Sequence, residues 1–150
     1  VAKFVFRLES FFQLKTKLED QKKQEYGQAL TQLEQERQKK AALTERRREC
    51  LHSFKTKLAE HIDPESIQRH NYFLDANKRQ IEAQALVIEK AEAFAEQKRL
   101  ELVEAMTERK MLEKLKEHNR EEFMLEENKA EQKRVDEIVS YKYNKRENES

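Results

Sequence analysis

The sequence predicts an all-α protein in which two long helices fold back on one another as an antiparallel coiled-coil hairpin. Three observations predict it. Apolar residues recur at seven-residue spacing through the second half, charged residues make up 41% of the chain, and 150 residues contain one proline and one glycine. Such a composition belongs to long charged helices, and so few turn-forming residues leave room for about one sharp reversal. The apolar 37% is spread evenly, so no segment is dense enough for a multi-layer core, and a single elongated domain over residues 1–150 is expected.

Helix one is expected over about residues 5–61. Its apolar residues have a loose helical spacing: Phe4, Leu8 and Phe11, then Leu18, then Tyr26, Leu30 and Leu33, and finally Leu51, Phe54, Leu58 and Ile62. Between Leu33 and Leu51 the expected inward positions are Arg37, Lys40 and Thr44, where long side-chain stems rather than hydrocarbon must cover the partner. Gly27 lies far from any reversal. The hinge is placed at about 62–64, within EHIDPESIQRH. Asp63 can accept hydrogen bonds from the next turn, Pro64 suits a first helical position because it needs no donor there, and Glu65 complements the positive helix end.

Helix two is expected over about residues 64–143. Ile67, Leu74, Ile81, Ile88, Ala95 and Leu102 recur every seven residues, which implies a left-handed coiled-coil seam. Arg109 and Lys116 then occupy the same position before Phe123 and Ala130 restore it, so the seam weakens there. With the chain reversing at Asp63 and Pro64, facing residues have numbers adding to about 127. That register sets Phe54 beside Phe73, Leu33 beside Phe94 and Phe4 beside Phe123. Helix two then overhangs helix one by about 20 residues, at about 1.5 Å each. The overhang carries Val135, Ile138 and Val139 with no segment of its own chain to cover them. It reads either as a solvated tail or as a docking segment. Tyr72 and Phe73 are adjacent and must point in different directions, one into the seam and one outward.

Several functions are excluded. One glycine cannot build a phosphate-cradling loop. His52, His61, His70 and His118 are scattered, and His118 with Glu122 is two ligands where a metal needs three or four, so neither catalytic residue, metal nor cofactor is expected. Cys50 and His52 face different directions on a helix, which removes a direct nucleophile and base pair, and a lone cysteine suits a reducing compartment. The net charge of +1 argues against nucleic acid as the main partner, and the basic run RRREC at 46–50 has no zipper downstream. No apolar stretch approaches the length of a membrane span. The pattern alone fits a cytoplasmic coiled-coil tether or a chaperone-like clamp, as a monomer or a helix-swapped dimer.

Three stretches resemble a known family. KFVFRLESFFQLK (3–15) looks like the opening of FliJ, a small component of the bacterial flagellar type III export apparatus. NKAEQKRVDEI (128–138) is similar to that family's C-terminal pattern, and FLDANKRQI (73–81) to its stretch after the hinge. The resemblance implies a non-enzymatic hairpin similar to the γ-subunit stalk of rotary ATPases. It implies binding to the hexameric export ATPase FliI with promotion of ring assembly, contact with the export gate protein FlhA, and escort of export chaperones in the service of flagellar motility. Such a protein would lie at the cytoplasmic face of the inner membrane, peripheral through its partners only. Carried onto this chain, the ATPase-binding residues are Gln132, Lys133, Arg134, Val135, Asp136, Glu137, Ile138 and Val139, and the gate-binding residues are Phe54, Tyr72 and Phe73. Asn77, Gln80 and Gln84 depart from the more apolar or histidine-containing stripe found in the family.

Overall fold

The computed structural model describes residues 2–61 and 63–149. The fold is all-α: α1 (Glu9–Glu60) and α2 (Pro64–Glu149) pack against each other, with no strand among the described residues. The chain divides into two compact units, Asp20–Glu104 and Val1–Glu19 with Ala105–Ser150.

In the unit Asp20–Glu104 the chain reverses between Glu60 and Pro64. Asp63 is the cap of α2: its carboxylate accepts from the Glu65 N–H and the Ser66 hydroxyl, both at 3.2 Å, and its carbonyl accepts from Ile67 N–H. Pro64 opens the helix where no donor is required. Ile62, expected to face inward, lies outside the described residues.

The seven-residue row Ile67, Leu74, Ile81, Ile88, Ala95 and Leu102 is half-buried or buried throughout, as the sequence predicts. A second row, His70, Asn77, Gln84, Ala91 and Lys98, sits three residues further along each repeat and is also covered. The two rows together are the seam. Its apolar layer is Ala29, Leu33 and Ala95, packed with Ile88 and Ala91. Small residues at 29, 91 and 95 leave room for Leu33, which is 6% exposed; its burial contributes about 1.5–3 kcal/mol.

Facing residues follow a lower register than the sequence suggests. Lys22 pairs with Glu101 and Phe54 stacks on His70, so numbers add to 123 or 124 rather than about 127. The reason is the hinge: Pro64 is the first residue of α2, not the apex of the turn, so the axis of reversal falls midway between Glu60 and Pro64. This shift overturns two expected pairings. Phe73 lies under the Arg46 guanidinium, 5.5 Å from its ring, instead of beside Phe54, and Phe94 is exposed beneath Lys98 while Ala95 meets Leu33. On α1 the inward residues between Leu33 and Phe54 are Glu36, Lys40, Leu43, Arg47 and Cys50, whereas Arg37 and Thr44 face outward. Leu30, Leu51 and Leu58 are likewise exposed.

In the unit Val1–Glu19 with Ala105–Ser150, α1 begins at Glu9 rather than near residue 5, because the preceding segment packs in another way. Phe4 is half-buried, Val5 is 80% exposed and Phe6 is 5% exposed. That two-residue alternation belongs to an extended segment and places both phenylalanines on α2. Phe4 meets Phe123 as expected, with ring centroids 5.7 Å apart. Leu8 and Phe11, expected inward, are exposed, and Phe6 and Phe12 take the covered positions. Where the apolar row lapses, ion pairs replace it. Arg109 binds Glu19, which is buried, and Lys116 reaches Glu9 at 2.8 Å while lying 5.3 Å from the Phe12 ring centroid. Ala130, expected to resume the seam, is exposed.

Candidate functional site

The C-terminal part of α2 is helical because nothing in its sequence stops a helix: residues 128–149 contain no proline or glycine and are rich in Lys, Glu, Gln and Arg. Every described residue from Asn128 to Glu149 is exposed. All eight residues expected to bind the ATPase, Gln132 to Val139, lie here. Val135, Ile138 and Val139 share one helix face through their spacing of three and four residues. Arg134 makes a surface ion pair with Glu131 at 3.3 Å.

Two residues that sequence reasoning missed extend this surface. Tyr141 and Tyr143 are both exposed, and Tyr141 continues the row formed by Arg134, Ile138 and Lys145, which lines a shallow groove of about 430 Å³. The signal was present in the spacing 134, 138, 141 and 145. Glu137 and Lys142 also line it, so an apolar and aromatic centre is flanked by charges of both signs.

The three expected gate-binding residues are not brought together. Tyr72 is 79% exposed, and Phe73 is the half-buried neighbour, so the adjacent pair splits as its spacing requires. Phe54 is half-buried and stacked on His70, with centroids 3.7 Å apart and planes 9° from parallel. Tyr72 is therefore the one freely presented aromatic of the three.

Asn77 and Gln84, two of the residues that depart from the family stripe, lie in the seam. Asn77, 2% exposed, donates to the Leu43 carbonyl at 3.0 Å. Arg47 donates to the Leu74 carbonyl at 3.0 Å and to Asn77 Oδ1 at 3.4 Å. Gln84 donates to the Glu36 carbonyl at 2.9 Å and to its carboxylate. This hydrogen bond, with the ammonium of Lys39 next in weight, holds the Glu36 carboxyl below the usual carboxylate range. Gln80 is exposed. Further along, Lys22 and Lys98 each bridge Glu25 and Glu101. Lys22 lowers Glu25, Lys98 and then Lys22 lower Glu101, and Glu25 and then Glu101 raise Lys22.

No group of three or more metal-ligating side chains occurs among the described residues, and His118 pairs with Glu122 on the surface at 3.0 Å. No helix is long and apolar enough to cross a membrane among the described residues.

A family model described as Flagellar FliJ protein matches residues 4–148. The chain belongs to the FliJ family. No curated protein sequence and no solved structure matches it significantly. FliJ membership implies a component of flagellar type III protein export, a non-catalytic one, and accounts for the likeness of KFVFRL and NKAEQKRVDEI to that family's patterns.

Proposed function

We propose that this member of the FliJ family binds the hexameric export ATPase FliI as a central stalk through the exposed part of α2, promotes ring assembly, and links the ring to the gate protein FlhA. One observation carries the reading: 128–149 is an exposed helix that contains the family-like QKRVDE stretch at 132–137 and bears Val135, Ile138, Val139 and Tyr141. A single helix about 10–12 Å across fits a ring pore, and alternating charges beside an apolar face allow salt-sensitive contacts with its wall. Tyr72, exposed near the hinge end of Asp20–Glu104, supports contact with the gate; Phe54 and Phe73 are part of the proposed contact although they are half-buried elsewhere. Escort of export chaperones is part of the proposal, and the location is the cytoplasmic face of the inner membrane.

The test adds the purified protein to the ATPase at low concentration and follows ATP hydrolysis and ring formation. Stimulation with rings, lost on truncation after Glu127 and on joint replacement of Val135, Ile138 and Val139 by serine with helicity retained, supports the stalk. A folded protein that neither stimulates nor binds overturns it and leaves a coiled-coil tether. Tyr72→Ala is expected to weaken gate capture while ATPase stimulation persists.

A further inference from the structure

At the hinge end of Asp20–Glu104 the two helices line an open cleft of about 360 Å³ whose lining differs in charge from the rest of the chain. The protein carries 30 carboxylates against 31 lysines and arginines, yet no carboxylate lines this cleft. Lys57 from the last turn of α1 and Arg69 from the second turn of α2 both line it, and neither side chain has an ion-pair partner among the described residues. Ser53 adds a hydroxyl. The adjoining cleft shares Phe54, Lys57 and Ser66 and is lined by the Glu60 and Asp63 carboxylates, of which Asp63 accepts from Glu65 N–H and from the Ser66 hydroxyl. One wall is the parallel stack of Phe54 on His70, and Cys50 Sγ lies 3.5 Å from His70 Nδ1.

From these residues we infer an oxyanion-binding site that takes a phosphate group, either the free ion or the phosphate of a small monoester. Lys57 and Arg69 are exposed and stand on opposite helices at one cleft, and the guanidinium fork, ammonium and hydroxyl together offer more donors than a carboxylate has oxygens to receive. The volume exceeds that of a single phosphate and falls at the lower end of small-molecule sites. An aromatic wall beside the cations gives the rest of a monoester an apolar surface.

Cys50 is the only cysteine and lines the cleft, so its alkylation reports on the site in the intact protein. The ratio of its rate with anionic iodoacetate to that with neutral iodoacetamide is expected to be about tenfold higher in the folded protein than in urea. Lys57→Gln with Arg69→Gln removes that excess, whereas the outward pair Lys55→Gln with Lys78→Gln retains it. Inorganic phosphate is expected to slow alkylation more than sodium chloride at the same ionic strength, and only when Lys57 and Arg69 are present. Protection by phenyl phosphate at lower concentration than by phosphate assigns the site to a monoester, and equal protection assigns it to the free ion. A ratio unchanged in Lys57→Gln with Arg69→Gln, circular dichroism showing both variants folded, or chloride protecting as well as phosphate, overturns the site.

Discussion

Within Asp20–Glu104 the seam is apolar at one level and polar at another. Around Leu33 the layer is Ala29, Ala91, Ala95 and Ile88, hydrocarbon packed on hydrocarbon. Towards the hinge the inner row of α2 becomes Gln84, Asn77 and His70, and each meets a polar group of α1: Glu36, Arg47 with the Leu43 carbonyl, and Cys50. The apolar layer supplies free energy but accepts many alignments. The polar layers contribute little net energy, yet a shift by one repeat would leave a buried amide without a partner. Stability and alignment are thus assigned to different stretches of the same pair of helices.

The largest expected effect strikes the apolar layer. Leu33→Ala should destabilise Asp20–Glu104 by about 2–5 kcal/mol, read from urea unfolding, since the small residues around it cannot close the gap. A cost below that of Asn77→Ala would reverse the comparison. Asn77→Ala is expected to cost about 1–3 kcal/mol by removing a buried side chain together with its bonds to the Leu43 carbonyl and from Arg47. Asn77→Leu loses the same bonds but restores apolar burial, so it should cost less than Asn77→Ala while admitting dimers or a second register by sedimentation, because hydrocarbon fits any repeat.

A third expectation concerns acid. Glu25, Glu36 and Glu101 have folded-state pKa values below their ordinary range, so the stability they contribute is complete above that range and is lost as pH falls through the lowered values. Lys22 is raised, so its share is complete below the ordinary lysine range and is lost as pH rises through the raised value. The melting temperature should fall on acidification below the carboxylate range, and less steeply in Glu36→Gln. An equal slope in that variant would remove Glu36 from the account. The smallest effect is a gain. Gly27 is inside α1 at an ordinary helical φ, with nothing within 4 Å of an added Cβ, so Gly27→Ala should stabilise by about 0.5–1 kcal/mol. Loss of stability there would mean that α1 is not a regular helix at that point.

The candidate surface was legible as a position more than as a composition. Val135, Ile138 and Val139 stand out because, once the hinge is placed, they lie opposite none of residues 1–61, whereas Tyr141 and Tyr143 are visible only when the helix is followed to Glu149. Phe54 and Phe73 were less legible, since a difference of about three in register decides whether two rings meet or pass. Phe4 found Phe123 despite that difference because the segment before Glu9 lies outside the helix, and an extended chain advances about 3.3 Å per residue rather than 1.5 Å.

The sequence by itself determined two helices, one capped reversal at Asp63 and Pro64, and the row from Ile67 to Leu102, because capping and seven-residue spacing are local chemistry that any neighbouring segment must respect. Tertiary structure alone decided which residues of α1 meet that row. Glu36, Leu43 and Arg47 face inward instead of Arg37 and Thr44 because hydrogen bonds to Gln84, the Leu74 carbonyl and Asn77 are made across the pair, and such partners are defined only when both helices are in place.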